Sequence, residues 1–176
     1  MDYLQTLTRI FVVDDKPENR AAARAALTDM APNAMVTEFS NAAEIIAALC
    51  EPSPENPLPD FIFSDMCMED QLSGWSVAVA GGAWSIPVNV VSGGHQGHGG
   101  DSVMLGYPNE LITGSKADPD LWRTVITMTF AGDHISNALL MMLKLGKRDT
   151  PDETLGQTIA LTVAGFISLA QERLDT

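Results

Sequence analysis

Three short apolar runs, RIFVV over residues 9–13, FIFS over 61–64 and IPVNVV over 86–91, each stop at an oxygen-bearing side chain: Asp14-Asp15, Asp65 and Ser92 respectively. Runs that are β-branched or aromatic at nearly every position have no solvent face. They suit strands of a parallel sheet covered on both sides, with polar residues delivered at their carboxyl ends. A chain built this way is expected to carry its chemistry along one edge of the sheet, where such sheets bind their ligands.

The segments between the runs are helical or loop-forming. Pro17 opens an Ala-rich stretch running to about Met30, since proline is tolerated where the first helical N–H groups lack partners. Ala34 to Phe39 reads as a second strand, and Ser40 or Asn41 as the cap of a helix over AAEIIAALC to Cys50. The nine residues Glu51 to Pro59 hold four prolines and mark a loop. Gly74 to Trp84 makes a short helix weakened by Gly81 and Gly82, SGGHQGHGGD forms a glycine-rich loop, and Glu110 to Thr113 is a fifth strand. Asp118 or Asp120 caps a helix from about Leu121. The expected fold is α/β, a doubly wound five-stranded parallel sheet over residues 1–130. A C-terminal helical hairpin over 131–176 either packs on that domain or pairs two copies as a homodimer.

Composition narrows the class of function. The 176 residues carry a formal charge of −13, which repels phosphate backbones, so nucleic-acid binding is not expected. The helical tail has four basic and six acidic residues and does not read as a DNA-binding output. Two cysteines outside any CxxC arrangement, and an N-terminus without a basic start and apolar core, fit a reducing cytoplasm. The most apolar stretch, Ile159 to Ala170, is too short for the ~20 residues that span a bilayer, so membrane insertion is not expected.

If strands one and three are neighbours, Asp14, Asp15 and Asp65 converge. Two unit charges about 4 Å apart repel by roughly 4 kcal/mol at an effective dielectric of 20, so the cluster calls for a cation. Oxygen ligands favour Mg²⁺ (or Mn²⁺), a hard cation commonly held by one or two carboxylates beside a phosphate. Ser92 after strand four offers a hydroxyl and Lys116 after strand five a compact positive charge, both suited to phosphoryl oxygens.

With VVDD, FSDMCM, VVSGG and GSK in this order, the chain resembles the response-regulator receiver domains of two-component signalling over about residues 8 to 130. The resemblance implies that Asp65 is the phosphoacceptor and that Asp15 and Asp65 ligate the metal with Asp14 assisting. It further implies that the main-chain carbonyl of Cys67 completes the protein's metal ligands, and that Ser92 and Lys116 stabilise the phosphoryl group. The partners implied are a histidine kinase or phosphotransfer protein upstream and a protein target downstream, and not an external substrate turned over by an enzyme. The chain departs from the family pattern in four places. Glu69 replaces the usual proline and Gly74 comes one residue late; Ala117 follows the lysine; Thr113 takes the aromatic switch position; and the glycine-rich loop replaces most of helix four.

Other readings stand beside this one. The acidic pocket serves no phosphorylation if the chain is a receiver-like interaction or oligomerisation module. His134 in GDHISNALL would be the phosphorylated residue if the tail were a phosphotransfer hairpin, although Ile135 replaces the acidic residue usual after such a histidine. His95 and His98 lack a third ligand nearby and read as solvated loop residues, and the Cys67 side chain as a packing residue.

Overall fold

The computed structural model describes residues 4–68, 73–93, 102–105 and 110–131, with 102–105, 110–113 and 131 described as backbone alone. The expected hairpin, with His134, lies outside the described residues beyond position 131, as do His95, His98 and Glu69.

A short 3-10 turn, Leu4–Thr6, leads into β1 (Arg9–Val13), followed by α1 (Pro17–Met30), β2 (Met35–Phe39), α2 (Ala42–Cys50), β3 (Phe61–Ser64), α3 (Ser73–Ala83) and β4 (Val88–Gly93). Then come β5 (Ser102–Leu105), β6 (Glu110–Thr113) and α4 (Pro119–Ala131). β1 pairs in parallel with β2 on one side and with β3 on the other, and β3 pairs in parallel with β4. The α/β alternation and the parallel sheet in the order β2-β1-β3-β4 therefore follow the sequence expectation.

The far edge differs. Ser102–Leu105 forms a strand where the sequence reading assigned no element; it lies antiparallel to β4 and to Glu110–Thr113, so the sheet has six strands among the described residues rather than five all parallel. An antiparallel neighbour of β4 needs no helical crossover to reach it. Glycine-rich SGGHQGHGGD cannot supply the helix that a parallel connection needs, whereas an antiparallel neighbour needs only a loop.

Alternate side chains of the central strands feed two cores. Ile10, Val12, Phe61, Phe63 and Val91 meet Ala22, Ala23, Ala26 and Leu27 of α1 and Leu121, Trp122, Val125 and Ile126 of α4. Phe11, Val13, Ile62 and Val88 meet Ile45 and Leu49 of α2 and Val77 and Ala78 of α3 on the other face. This period-two division is what a strand buried on both sides requires.

Local signals end the elements as their chemistry dictates. Asn41 caps α2 by accepting from the Glu44 amide at 2.9 Å, while the Glu44 carboxylate accepts from the Ser40 amide and hydroxyl. Asp118 caps α4, its Oδ1 accepting from the Asp120 amide at 2.9 Å ahead of Pro119 in the first turn. Gly81 sits inside α3 because a Cβ there would lie 2.6 Å from Val88 Cγ2, so the glycine that weakens the helix lets it approach β4. No helix among the described residues is long and apolar enough to cross a membrane.

Candidate functional site

Parallel pairing aligns the carboxyl ends of β1 and β3, with Val13 opposite Ser64. The next residues along each strand are Asp14 and Asp65, and the Asp65 amide donates to the Val13 carbonyl at 2.8 Å. Both side chains are buried, Asp14 2% and Asp65 8% exposed, whereas Asp15 is exposed at the rim. Carboxylate oxygens of the three residues lie within 4.8 Å of one another.

Lys116, beyond β6 and 8% exposed, reaches back into this cluster. Its Nζ donates to Asp14 Oδ2 at 2.7 Å and to Asp65 Oδ1 at 2.6 Å, and lies 3.4 Å from the Val91 carbonyl. Residues 102 and 51 positions apart in sequence thus share one buried ionic contact. The repulsion that called for a cation is partly relieved by the protein's own ammonium. Three carboxylates against one ammonium leave two negative charges, the complement of a single divalent cation.

Burial pushes the Asp65 carboxyl above its ordinary value. The Lys116 charge and hydrogen bond pull the other way, and the neighbouring Asp14 charge adds to the rise. Ser92 is buried at the end of β4, one residue past the carbonyl that Lys116 approaches. Register aligns Ser64 with Val90, so Asp65 lies one position and Ser92 two positions past the last β3–β4 pair, while Ser92 itself pairs with Met104 of β5. Cys67, two residues past Asp65, is exposed, not buried as the packing role expected of its side chain requires.

The structure also brings in residues that motif reading passed over. Asn19, 5% exposed on the first turn of α1, donates from Nδ2 to both Asp14 oxygens, at 3.0 and 3.1 Å. Side chains on a helix lean toward its N-terminus, so an amide three positions into α1 was placed to point back at the preceding carboxylates. Arg20 donates to the Asp14 carbonyl at 2.7 Å and lies 3.6 Å from Glu38 of β2. The Trp122 indole of α4 donates to the Lys116 carbonyl at 2.7 Å, fixing the backbone from which the lysine extends.

Two glycines leave room for this arrangement. A Cβ on Gly74 would stand 2.1 Å from the Asp65 carbonyl oxygen, and one on Gly93 would stand 3.1 Å from Lys116 Cε. The backbone of α3 therefore lies directly against Asp65, and that of β4 against the lysine stem. Gly74 keeps this position although it falls one residue later than the receiver spacing. Comparison with the models of known protein families yields no match for this chain, and comparison with curated proteins likewise yields none.

Proposed function

We propose that residues 1–130 form a phosphoacceptor receiver domain of the response-regulator type, phosphorylated on Asp65 and signalling through protein contact. The observation that carries this reading is the buried Lys116 ammonium held between Asp14 and Asp65. A structural ion pair needs one carboxylate; two buried carboxylates, with Asp15 at the rim, leave a negative charge that suits a divalent cation.

Asp15 and Asp65, with Asp14 assisting and the Cys67 main-chain carbonyl completing the set, would hold Mg²⁺ or Mn²⁺. Such a cation would neutralise charge on the phosphoryl oxygens as they approach. An Asp65 carboxylate oxygen attacks phosphorus of a phosphohistidine donor, the P–N bond breaks as the P–O bond forms, and the imidazole leaves with its electron pair and takes up a proton. Lys116 follows the charge onto the phosphoryl oxygens, and the Ser92 hydroxyl donates to another; transfer of this kind depends on positioning and charge stabilisation. The added −1.5 to −2 or so of charge redistributes the domain between two conformations that a partner distinguishes.

Acetyl phosphate with Mg²⁺ is expected to label the wild-type chain with an alkali-labile phosphoryl group, and to leave Asp65→Asn unlabelled. Equal labelling of the two proteins overturns the assignment. Label that survives alkali and is lost in acid moves the phosphorylated residue to a histidine such as His134.

A further inference from the structure

Asp14 is the most fully engaged carboxylate of the cluster. An ionised carboxylate offers about four lone-pair positions. Asp14 Oδ1 accepts from the Lys16 amide at 2.9 Å and from Asn19 Nδ2 at 3.0 Å. Oδ2 accepts from Asn19 Nδ2 at 3.1 Å and from Lys116 Nζ at 2.7 Å. Protein donors thus fill the acceptor capacity of this side chain. For Asp14 to bind a cation directly, one of those donors would have to be given up; Lys116 would keep Asp65, but the buried Asn19 amide would give up its contacts with Asp14 away from water.

Asn19 is the donor that grips both oxygens. It stands on the first turn of a helix whose start is set by Pro17, and that helix is anchored through Ala22, Ala23 and Ala26 to the core. Its amide therefore fixes the plane of the carboxylate from a rigid support.

Resting on the phosphoacceptor reading above, we propose that Asn19 is a positioning residue that commits Asp14 to Lys116 and withholds it from a bound divalent cation, thereby setting the cation affinity of the site. Removing the amide returns lone pairs to Asp14 and adds a direct ligand. Direct ligation in the native protein falls to Asp15 and Asp65, and Asp14 serves to keep the ammonium beside the acceptor.

The test is Mn²⁺ titration of the full chain by calorimetry, for the wild type, Asn19→Leu, Asp14→Asn, Asp15→Asn and the Asn19→Leu/Asp14→Asn double variant. Asn19→Leu is expected to bind Mn²⁺ about tenfold tighter, the size of effect that one released hydrogen bond to a charged group supports. The double variant is expected to lose that gain. Asp14→Asn alone weakens binding by about threefold or less through lost long-range charge, far less than Asp15→Asn.

Unchanged or weaker binding by Asn19→Leu overturns the proposal. So does an Asp14→Asn loss equal to that of Asp15→Asn, and this comparison decides the matter on its own if circular dichroism finds Asn19→Leu unfolded. A wild-type protein that takes up no Mn²⁺ overturns the phosphoacceptor reading itself and the proposal with it. That pattern differs from one in which the wild type binds and the Asn19 variant matches it.

Discussion

Lys116 holds together two carboxylates that would otherwise face each other inside the protein. Removing one partner of a buried ion pair leaves an uncompensated charge, which costs about 3–5 kcal/mol. Lys116→Met is therefore expected to lower unfolding free energy in urea by about that amount in metal-free buffer. A divalent cation, able to neutralise the same carboxylates, is expected to restore part of the loss; a variant as stable as the wild type without metal would show that the ammonium contributes nothing to the fold. The order of Asp14, Asp15, Asp65, Ser92 and Lys116 in the sequence was enough to bring these residues under suspicion. Asn19 was not legible in the same way, because an asparagine in the first turn of a helix is an ordinary residue until the side chain it faces is known.

Among the elements, β4 and α4 tie the site to the far core. The Asn89 side chain donates to the Thr129 hydroxyl at 2.6 Å, and that hydroxyl donates to the Val125 carbonyl at 2.7 Å, all away from solvent. Thr129→Val keeps the shape and removes the acceptor, so it is expected to destabilise the protein by about 1–3 kcal/mol, measured as a shift in the urea midpoint at unchanged slope. No shift would mean that Asn89 finds another partner. Strands and helices up to β4 were readable because each apolar run is short, buried on both faces and bounded by proline, glycine or a capping residue. The strand Ser102–Leu105 was not readable: its four residues lie close to the glycine-rich stretch, and nothing in their period separates a strand from an extended loop. Tertiary pairing on both sides, with β4 and with β6, makes it a strand.

For the whole molecule, the Asp65 carboxyl couples stability to pH. Its folded-state value is raised from an ordinary 3.8, chiefly by burial, so between those two values the folded chain holds more protons than the unfolded one. The contribution of this group is fully present below 3.8 and is lost as pH rises through the raised value. Metal-free wild type is accordingly expected to lose stability relative to Asp65→Asn across that window in urea titrations at a series of pH values. Parallel curves for the two proteins would contradict the raised value. On the proposed reading, the same opposition of burial and charge is what a cation and then a phosphoryl group would relieve, and the ends of β1 and β3 are where the fold concentrates it. The most direct measurement is therefore chemical: treat the chain with acetyl phosphate and Mg²⁺, reduce with borohydride, which converts an aspartyl phosphate to homoserine, and map the peptides. Homoserine at position 65 is the expected result; homoserine at other aspartates only, or at none, would contradict Asp65 as the phosphoacceptor.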